Sequence, residues 1–511
     1  MMKKLTQHFL LTIGLLLCFS CNQFLDVNDD PNNIKNAQVS QMLPSITVNI
    51  GYMGASDLFR VSSLFMQQFS GHGPVAGFSA NKEYERYNMN DSDINNQWVA
   101  IFATILSDLE LLIQQATEEG SPHYAGVAKI LKAYVYQVVV DTWGDVPFYQ
   151  AVKHTNNFYP SFDDDEEIYT QLIVLLDEGL AEIKAEQSVL SPNQYSTIYN
   201  SSSWANSQTQ WERFANTLKL RIYLHYSAKD PSFTAQQLNS LVNSGVPFMQ
   251  GNTDNFEMPF LNESQRQNPL YSAENGQFKN QFFPNRYLVN LMNERGDPRR
   301  AAYFIPFPYA SNPATYKGSS ILEVNPSLSY SRSYQYLYGS PSAVDPSLIN
   351  ADGSLKDGAI TFGGDSPARL MNFSEYNFIR AEAALRFGVS GDAQTFFQEG
   401  IKASFEKAGI SMQQLQTYLA AHGTLAGNDE EKLAQIITEK YIANFGVLVE
   451  PWTDFRRTGY PKLNPLSQPL AIYNEIPRSL FYAQSEINNN PNAQQKSSLL
   501  ERVFWDVNEN K

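Results

Sequence analysis

Cysteine is nearly missing: the 511 residues hold two, Cys18 and Cys21, both close to the amino terminus. No disulfide framework is therefore available to the rest of the chain, and packing must hold it together. Charge is scarce as well, at 17% of residues, and no run of Lys or Arg offsets a formal balance of −15. That sign excludes a polyanionic partner such as nucleic acid. The histidines (His8, His72, His123, His154, His225 and His422) are scattered without the spacing of metal ligands. No G-x-S-x-G, H-E-x-x-H or phosphate-cradling glycine loop occurs. Residues 345–357, DPSLINADGSLKD, lack the ligand order and closing Glu of a calcium loop and read as a turn. No catalytic residue, cofactor or metal is expected. Acid pairs that meet only in the fold keep an α-helical glycoside hydrolase as the enzyme-class alternative.

What is present is aromatic, with 28 Tyr and 32 Phe in a lightly charged chain. Such a composition suits a surface that faces carbohydrate or peptide. At the amino terminus Lys3-Lys4 precede FLLTIGLLLCFS, a basic segment followed by an apolar run too short to span a bilayer. With Ser20 before it, Cys21 reads as the lipidated first residue left after removal of a signal peptide, residues 1–20. Residues 21–38 carry turn formers around Asp30-Pro31-Asn32 and read as a tether, leaving 39–511 as one domain.

Helical periodicity organises two parts of that domain, residues 94–228 and 374–446. In 125–143, Val127, Ile130, Leu131, Tyr134, Val135 and Val138 form one apolar stripe, with Gly144 and Pro147 ending the helix. Further helices are expected at 94–116, 166–186, 210–226, 374–388, 393–408 and 433–445. Their starting intervals fall in the range of helical-repeat units. The acids from Asp163 to Glu167 sit where a helix start favours negative charge. Residues 230–373 lose this order except at 284–295, and a loop region this long points to function.

Four blocks carry a family resemblance. The stripe helix runs into Tyr136, then DTWGDVPFYQAV. EYNFIRAEAALRFG holds Arg380 and Glu382 inside an apolar helix. ITEKYIANFG leads to Trp452, Asp454, Phe455, Arg456 and Arg457. Ile476-Pro477-Arg478 is followed by Phe481, Tyr482 and Asn490-Pro491. Their order, with the lipoprotein-like start, resembles the SusD/RagB family of Bacteroidota surface lipoproteins. The resemblance implies a mainly α, SusD-like fold, with tetratricopeptide-like helix pairs supporting a long irregular loop-rich face. It implies a non-enzymatic protein, lipid-anchored at the outer membrane. Such a protein binds oligosaccharide, or alternatively peptide, and passes it to a SusC-like TonB-dependent transporter. The motif charges are expected to pair and to pin helices to loops, Asp454 with Arg456 or Arg457 among them.

Loop aromatics supply the candidate binding residues: Phe78, Tyr84, Tyr87, Trp204, Tyr271, Tyr330, Tyr334, Tyr336 and Tyr338. Sugar rings stack an apolar face on such side chains, while their hydroxyls need polar partners at the rim. The last four Tyr are all even-numbered, so an extended backbone would aim them to one face.

Overall fold

The computed structural model describes residues 38–71, 79–153, 157–193, 196–322 and 328–508. Cys21 and Phe78 lie outside them, as do the signal segment and nearly all of the tether. The first helices are α1 (Val39–Gly54), α2 (Asp57–Phe65), α3 (Asp91–Glu118) and α4 (Pro122–Trp143). They are followed by α5 (Asp165–Ile183), α6 (Trp204–His225), α7 (Pro231–Asn243) and α8 (Arg286–Glu294). The carboxy-terminal set is α9 (Phe373–Phe387), α10 (Ala393–Lys407), α11 (Met412–His422), α12 (Asp429–Ala443) and α13 (Glu450–Thr458). α3 is long and apolar enough to cross a membrane, yet it packs on α1 and α4 and buries Trp98, Ile105 and Leu109.

The stripe helix is the centre of the fold. α4 begins with Pro122 in its first turn, where a missing N–H costs nothing, and stops at Gly144, whose φ of +76° a β-carbon would oppose. It runs antiparallel to α5, since Gly126 meets Gly179 at one end while Val146 bridges Asp163 at the other. A β-carbon at either glycine would stand under 3 Å from the other's carbonyl oxygen, so the contact demands glycine on both helices. Lys129 seals the same seam with Glu178 at 2.9 Å and Glu182 at 2.7 Å. α9 and α10 form a second packed pair, with Gly400 set against the Phe378 ring.

The segment between the helical parts is more ordered than its sequence pattern predicts. α7 lies within it, capped by Asp230, but only Thr234, Leu238 and Leu241 are fully buried. So thin a stripe amid Gln, Asn and Ser leaves little periodic signal. Among the described residues, three two-stranded antiparallel sheets tie the region together. β1 (Phe69–Gly71) pairs with β3 (Phe282–Pro284), β2 (Phe256–Met258) with β6 (Ala368–Met371), and β4 (Phe304–Ile305) with β5 (Arg332–Ser333).

The alternating-tyrosine expectation fails. Only Arg332 and Ser333 are paired as a strand, and Gln335–Tyr338 is a helical turn. The Tyr334 carbonyl accepts from the N–H groups of Leu337 and Tyr338, and Gly339, at φ +82°, ends the turn. A turn of helix sends Tyr336 and Tyr338 to different neighbours, so the four rings share no face.

The motif charges are buried, and Glu382, Asp454 and Arg457 pair with one another, whereas Arg380 donates to the Tyr376 hydroxyl at 3.0 Å and the Ser390 carbonyl at 2.7 Å instead of to a carboxylate. Glu382 of α9 takes both ends of the Arg457 guanidinium from α13, at 2.5 and 2.7 Å, and Arg457 also holds Asp454 at 2.9 Å. Burial opposes the Glu382 charge, but Arg457 and Arg386 outweigh it and hold the carboxyl at about 2. Arg456 does not pair with Asp454. It donates to the carbonyls of Asp141 and Arg478 at 2.6 Å each and lies over the Trp452 ring. Asp141 in turn accepts from the Trp505 indole at 2.9 Å and from Gln137 and Tyr169. Trp143 donates to the Phe481 carbonyl and Trp452 to that of Pro477. The family-like blocks are thus the bolts between α4, α9, α13 and the carboxy-terminal segment.

Candidate functional site

A cleft of about 470 Å³ lies where five separated stretches meet, the segment from Ser320 to Leu322 among them. Leu64 and Gln67 come from the end of α2 and the turn after it, and Glu85 and Tyr87 from the short helix that follows and its exit. Asn285 to Glu294 bring α8, and Asn464 with Leu466 arrive from the carboxy-terminal part. Its size falls in the range of small-ligand sites. Two of its residues, Gln67 at φ +53° and Tyr87 at φ +61°, hold left-handed backbone without being glycine, a strain that persists only where the surroundings fix it.

The polar lining is built rather than incidental. Asn285 caps α8 by accepting from the Tyr287 N–H, while its amide donates to Glu85 Oε1 and to the Phe69 carbonyl, each at 3.2 Å. Glu85 also accepts from the Ser70 hydroxyl at 2.9 Å and the Gly71 N–H at 2.7 Å. Burial nevertheless pushes its carboxyl up to about 7, so it exchanges its proton near neutrality. Gln67 and Asn464 bond reciprocally, amide to carbonyl at 2.5 Å and N–H to Oε1 at 3.4 Å. Tyr287 is half-buried, in a T-shaped contact with Tyr441, with Asn290 and Arg286 exposed beside it. Leu322 adds an exposed apolar surface at the rim. An aromatic wall with amides and a carboxyl around it can hold a ring whose faces are apolar and whose edge is hydroxylated.

Of the candidate aromatics, Tyr87 belongs to this cleft, but its ring is only 2% exposed and packs on Phe65. Its hydroxyl accepts from the Leu466 N–H at 3.2 Å, so it supports the cleft wall. Tyr84 is buried and donates to Asp93 at 3.1 Å. Trp204 stands at the start of α6, stacked on His123 at 4.7 Å. Tyr330 packs on Phe283, and Tyr336 packs on Tyr303, which in turn stacks on Phe445, with Arg369 over the Tyr336 ring. Tyr334 touches Phe362. Tyr271 and Tyr338 line a smaller pocket of about 120 Å³, together with Phe362. The cleft residues that sequence reasoning missed are Gln67, Glu85, Asn285, Tyr287 and Asn290. Asn285-Arg286-Tyr287 opening a helix is the one signal that points to any of them.

The other carboxylate cluster with a histidine, Asp141, His225 and Glu450, is fully buried. Arg221 and Lys440 pair with Glu450 there, at 3.5 and 2.9 Å.

Residues 31–482 match the family model SusD-like_2, described as starch-binding and associating with the outer membrane. The chain belongs to the SusD-like family. No curated protein matches it. Solved structures show the same mainly helical SusD-like fold. One titled a chitin-binding protein is 22% identical, with a TM-score of 0.74 over 92% of this chain and 99% of that one. A chitin-binding SusD homologue from Flavobacterium johnsoniae is 23% identical, with a TM-score of 0.72 over 92% and 99%. A SusD homologue from Bacteroides uniformis is 21% identical, with a TM-score of 0.70 over 91% and 99%. At these identities the likeness concerns the fold, and the SusD-like cleft must be read from its own side chains.

Proposed function

We propose that this SusD-like protein binds a neutral oligosaccharide in the cleft beside α8 and delivers it to a SusC-like TonB-dependent transporter. The observation that carries the reading is the half-buried Tyr287 set among Asn290, Gln67 and Asn464, an aromatic ring with amides around it. The family description names starch, and two structures of like fold are titled chitin-binding, so malto- and chito-oligosaccharides are the ligands to try first. Tyr287→Ala is expected to weaken binding by about 1 kcal/mol, roughly fivefold, in a protein that still unfolds cooperatively above the assay temperature. Calorimetric titration with both series reads the affinity, and a peptide library in parallel reads the competing peptide-binding alternative. Wild-type affinity in Tyr287→Ala would remove the cleft from consideration. Release of reducing ends during incubation would instead favour the hydrolase.

Residues 39–511 form the ligand-carrying domain in this proposal, held at the cell surface by lipid on Cys21. The support is the basic start, the apolar run and the Ser20-Cys21 pair. Cys21→Ala is expected to leave the protein without acyl chains and free of membranes after fractionation. A mutant that still incorporates labelled fatty acid and pellets with membranes would contradict the anchor.

A further inference from the structure

A groove of about 240 Å³ opens at the other end of α2 from the cleft and shares no lining residue with it. Asn49 and Tyr52 reach it from α1, Ser56 and Asp57 from the start of α2, and Asn96 and Thr104 from α3. The nine residues of α2, at about 1.5 Å each, set groove and cleft about 13 Å apart along that helix. The α1 wall is held in place by close packing. A β-carbon at Gly51 would stand 2.4 Å from Met258 Cγ, and one at Gly54 2.3 Å from Leu370 Cδ2, so α1 lies directly on the β2–β6 sheet. Tyr52, between these two contacts, is turned outward and is 39% exposed. A T-shaped contact with Phe260, at 5.7 Å, holds its ring.

The α3 wall is irregular. Ala100–Leu106 is a π-helical turn, a feature frequent at functional sites. Thr47, Thr117 and Thr217 each donate to the carbonyl four residues back in their helices. In the wider π turn the Thr104 hydroxyl makes no such bond and has no partner among the described residues. The Asn49 and Asn96 amides likewise engage no described residue, and Gln97 uses only its Oε1, which accepts from Ser56 at 3.1 Å. In the cleft, by contrast, Gln67 is bound to Asn464 and Asn285 to Glu85. Asp57 is the one charged group among the described lining residues, and Arg60 holds it at 2.9 Å. With no free charge, the groove selects neither cation nor anion. Its amides and hydroxyls both donate and accept, which matches ligand hydroxyls that do the same.

We infer that this groove is a second sugar site, which takes one uncharged hexopyranose ring. The apolar face of the ring lies on Tyr52, and its hydroxyls bond to Asn49, Asn96, Gln97 and Thr104. Ala100 carries only a methyl group where the ring enters the groove. The inference stands on the groove's own side chains and does not require the cleft to bind glycan.

The test is calorimetric titration of the full chain with glucose and with N-acetylglucosamine, in a Tyr287→Ala background that weakens the cleft. Saturable binding of at least one sugar is expected. Adding Tyr52→Ala should weaken it at least about fivefold, while Tyr52→Phe keeps the ring and should hold the affinity. Ala100→Leu, which fills the groove and leaves Tyr52 in place, should weaken it as much as Tyr52→Ala does. Absence of saturable binding of both sugars overturns the inference, as does unchanged affinity in a folded Tyr52→Ala. If Tyr52→Ala does not fold, unchanged affinity in Ala100→Leu overturns it instead. Either site can fail alone, because the cleft is judged by what Tyr287→Ala does to oligosaccharide binding with Tyr52 intact.

Discussion

Lys440→Met is expected to destabilise the fold by about 3–5 kcal/mol, the cost of leaving buried charges without their partner. Lys440 sits on α12 and is 1% exposed. Its ammonium stands 2.8 Å from Asp454, 2.9 Å from Glu450 and 3.8 Å from Glu375. Burial works against its charge, but the three carboxylates outweigh burial and hold it above the ordinary lysine range. Arg221, Arg457 and Arg386 remain after the substitution, and they face four carboxylates, Glu375, Glu450, Glu382 and Asp454. The excess negative charge has no route to water.

Protonation is the relief available, and Glu375 is the first to use it, since burial already lifts it to about 7. In the mutant Glu375 loses a nearby cation, so its folded pKa, already raised by burial above that of the unfolded chain, rises further. Raised values stabilise below the unfolded pKa and lose that stability as pH climbs. The deficit of Lys440→Met is therefore expected to be larger at pH 8 than at pH 5.5. Urea unfolding of mutant and wild type at both values reads it. A deficit under 1 kcal/mol, or one that shrinks as pH rises, would refute this account of the network.

These charges show how far a sequence can be read. Arg380, Glu382, Asp454 and the Arg456-Arg457 pair stand out because each interrupts an apolar pattern, and a charge kept inside a packed helix needs a partner. Which partner it takes was not legible: Arg457 rather than Arg456 reaches Asp454, because the two arginines leave α13 in different directions. α4 was legible from its stripe and its stop. α7 was not, since a helix lying on the surface of the core needs few apolar positions. The tyrosine stretch misled because period two was counted without the turn hydrogen bonds that Tyr334 and Gly339 supply. The cleft was the least legible element. Gln67, Glu85, Tyr287 and Asn464 are far apart in the chain and meet only through the β1–β3 pairing and the return of the carboxy-terminal segment.

Leu131→Asp is expected to prevent the native fold altogether. Leu131 lies in the middle of α4 with no exposed surface. Truncating a buried Leu costs about 2–5 kcal/mol, and placing a carboxylate in the same site adds several more. Together these approach the whole stability of a typical protein, about 5–15 kcal/mol. Relief by movement is closed off. Five residues before it, Gly126 holds α4 against Gly179 of α5 with the helix backbones in contact, so the helix cannot shift outward without breaking that crossing. Relief by pairing is closed off too, because Lys129 is bound by Glu178 and Glu182, and Lys132 by Glu110 at 2.8 Å. Leu131→Met keeps volume and polarity and should cost under about 1.5 kcal/mol, which separates the effect of the charge from that of any change at this position. Near-ultraviolet circular dichroism and resistance to limited proteolysis report the outcome. A soluble Leu131→Asp protein with wild-type melting and wild-type protease resistance would mean that α4 is not the helix on which the core is built.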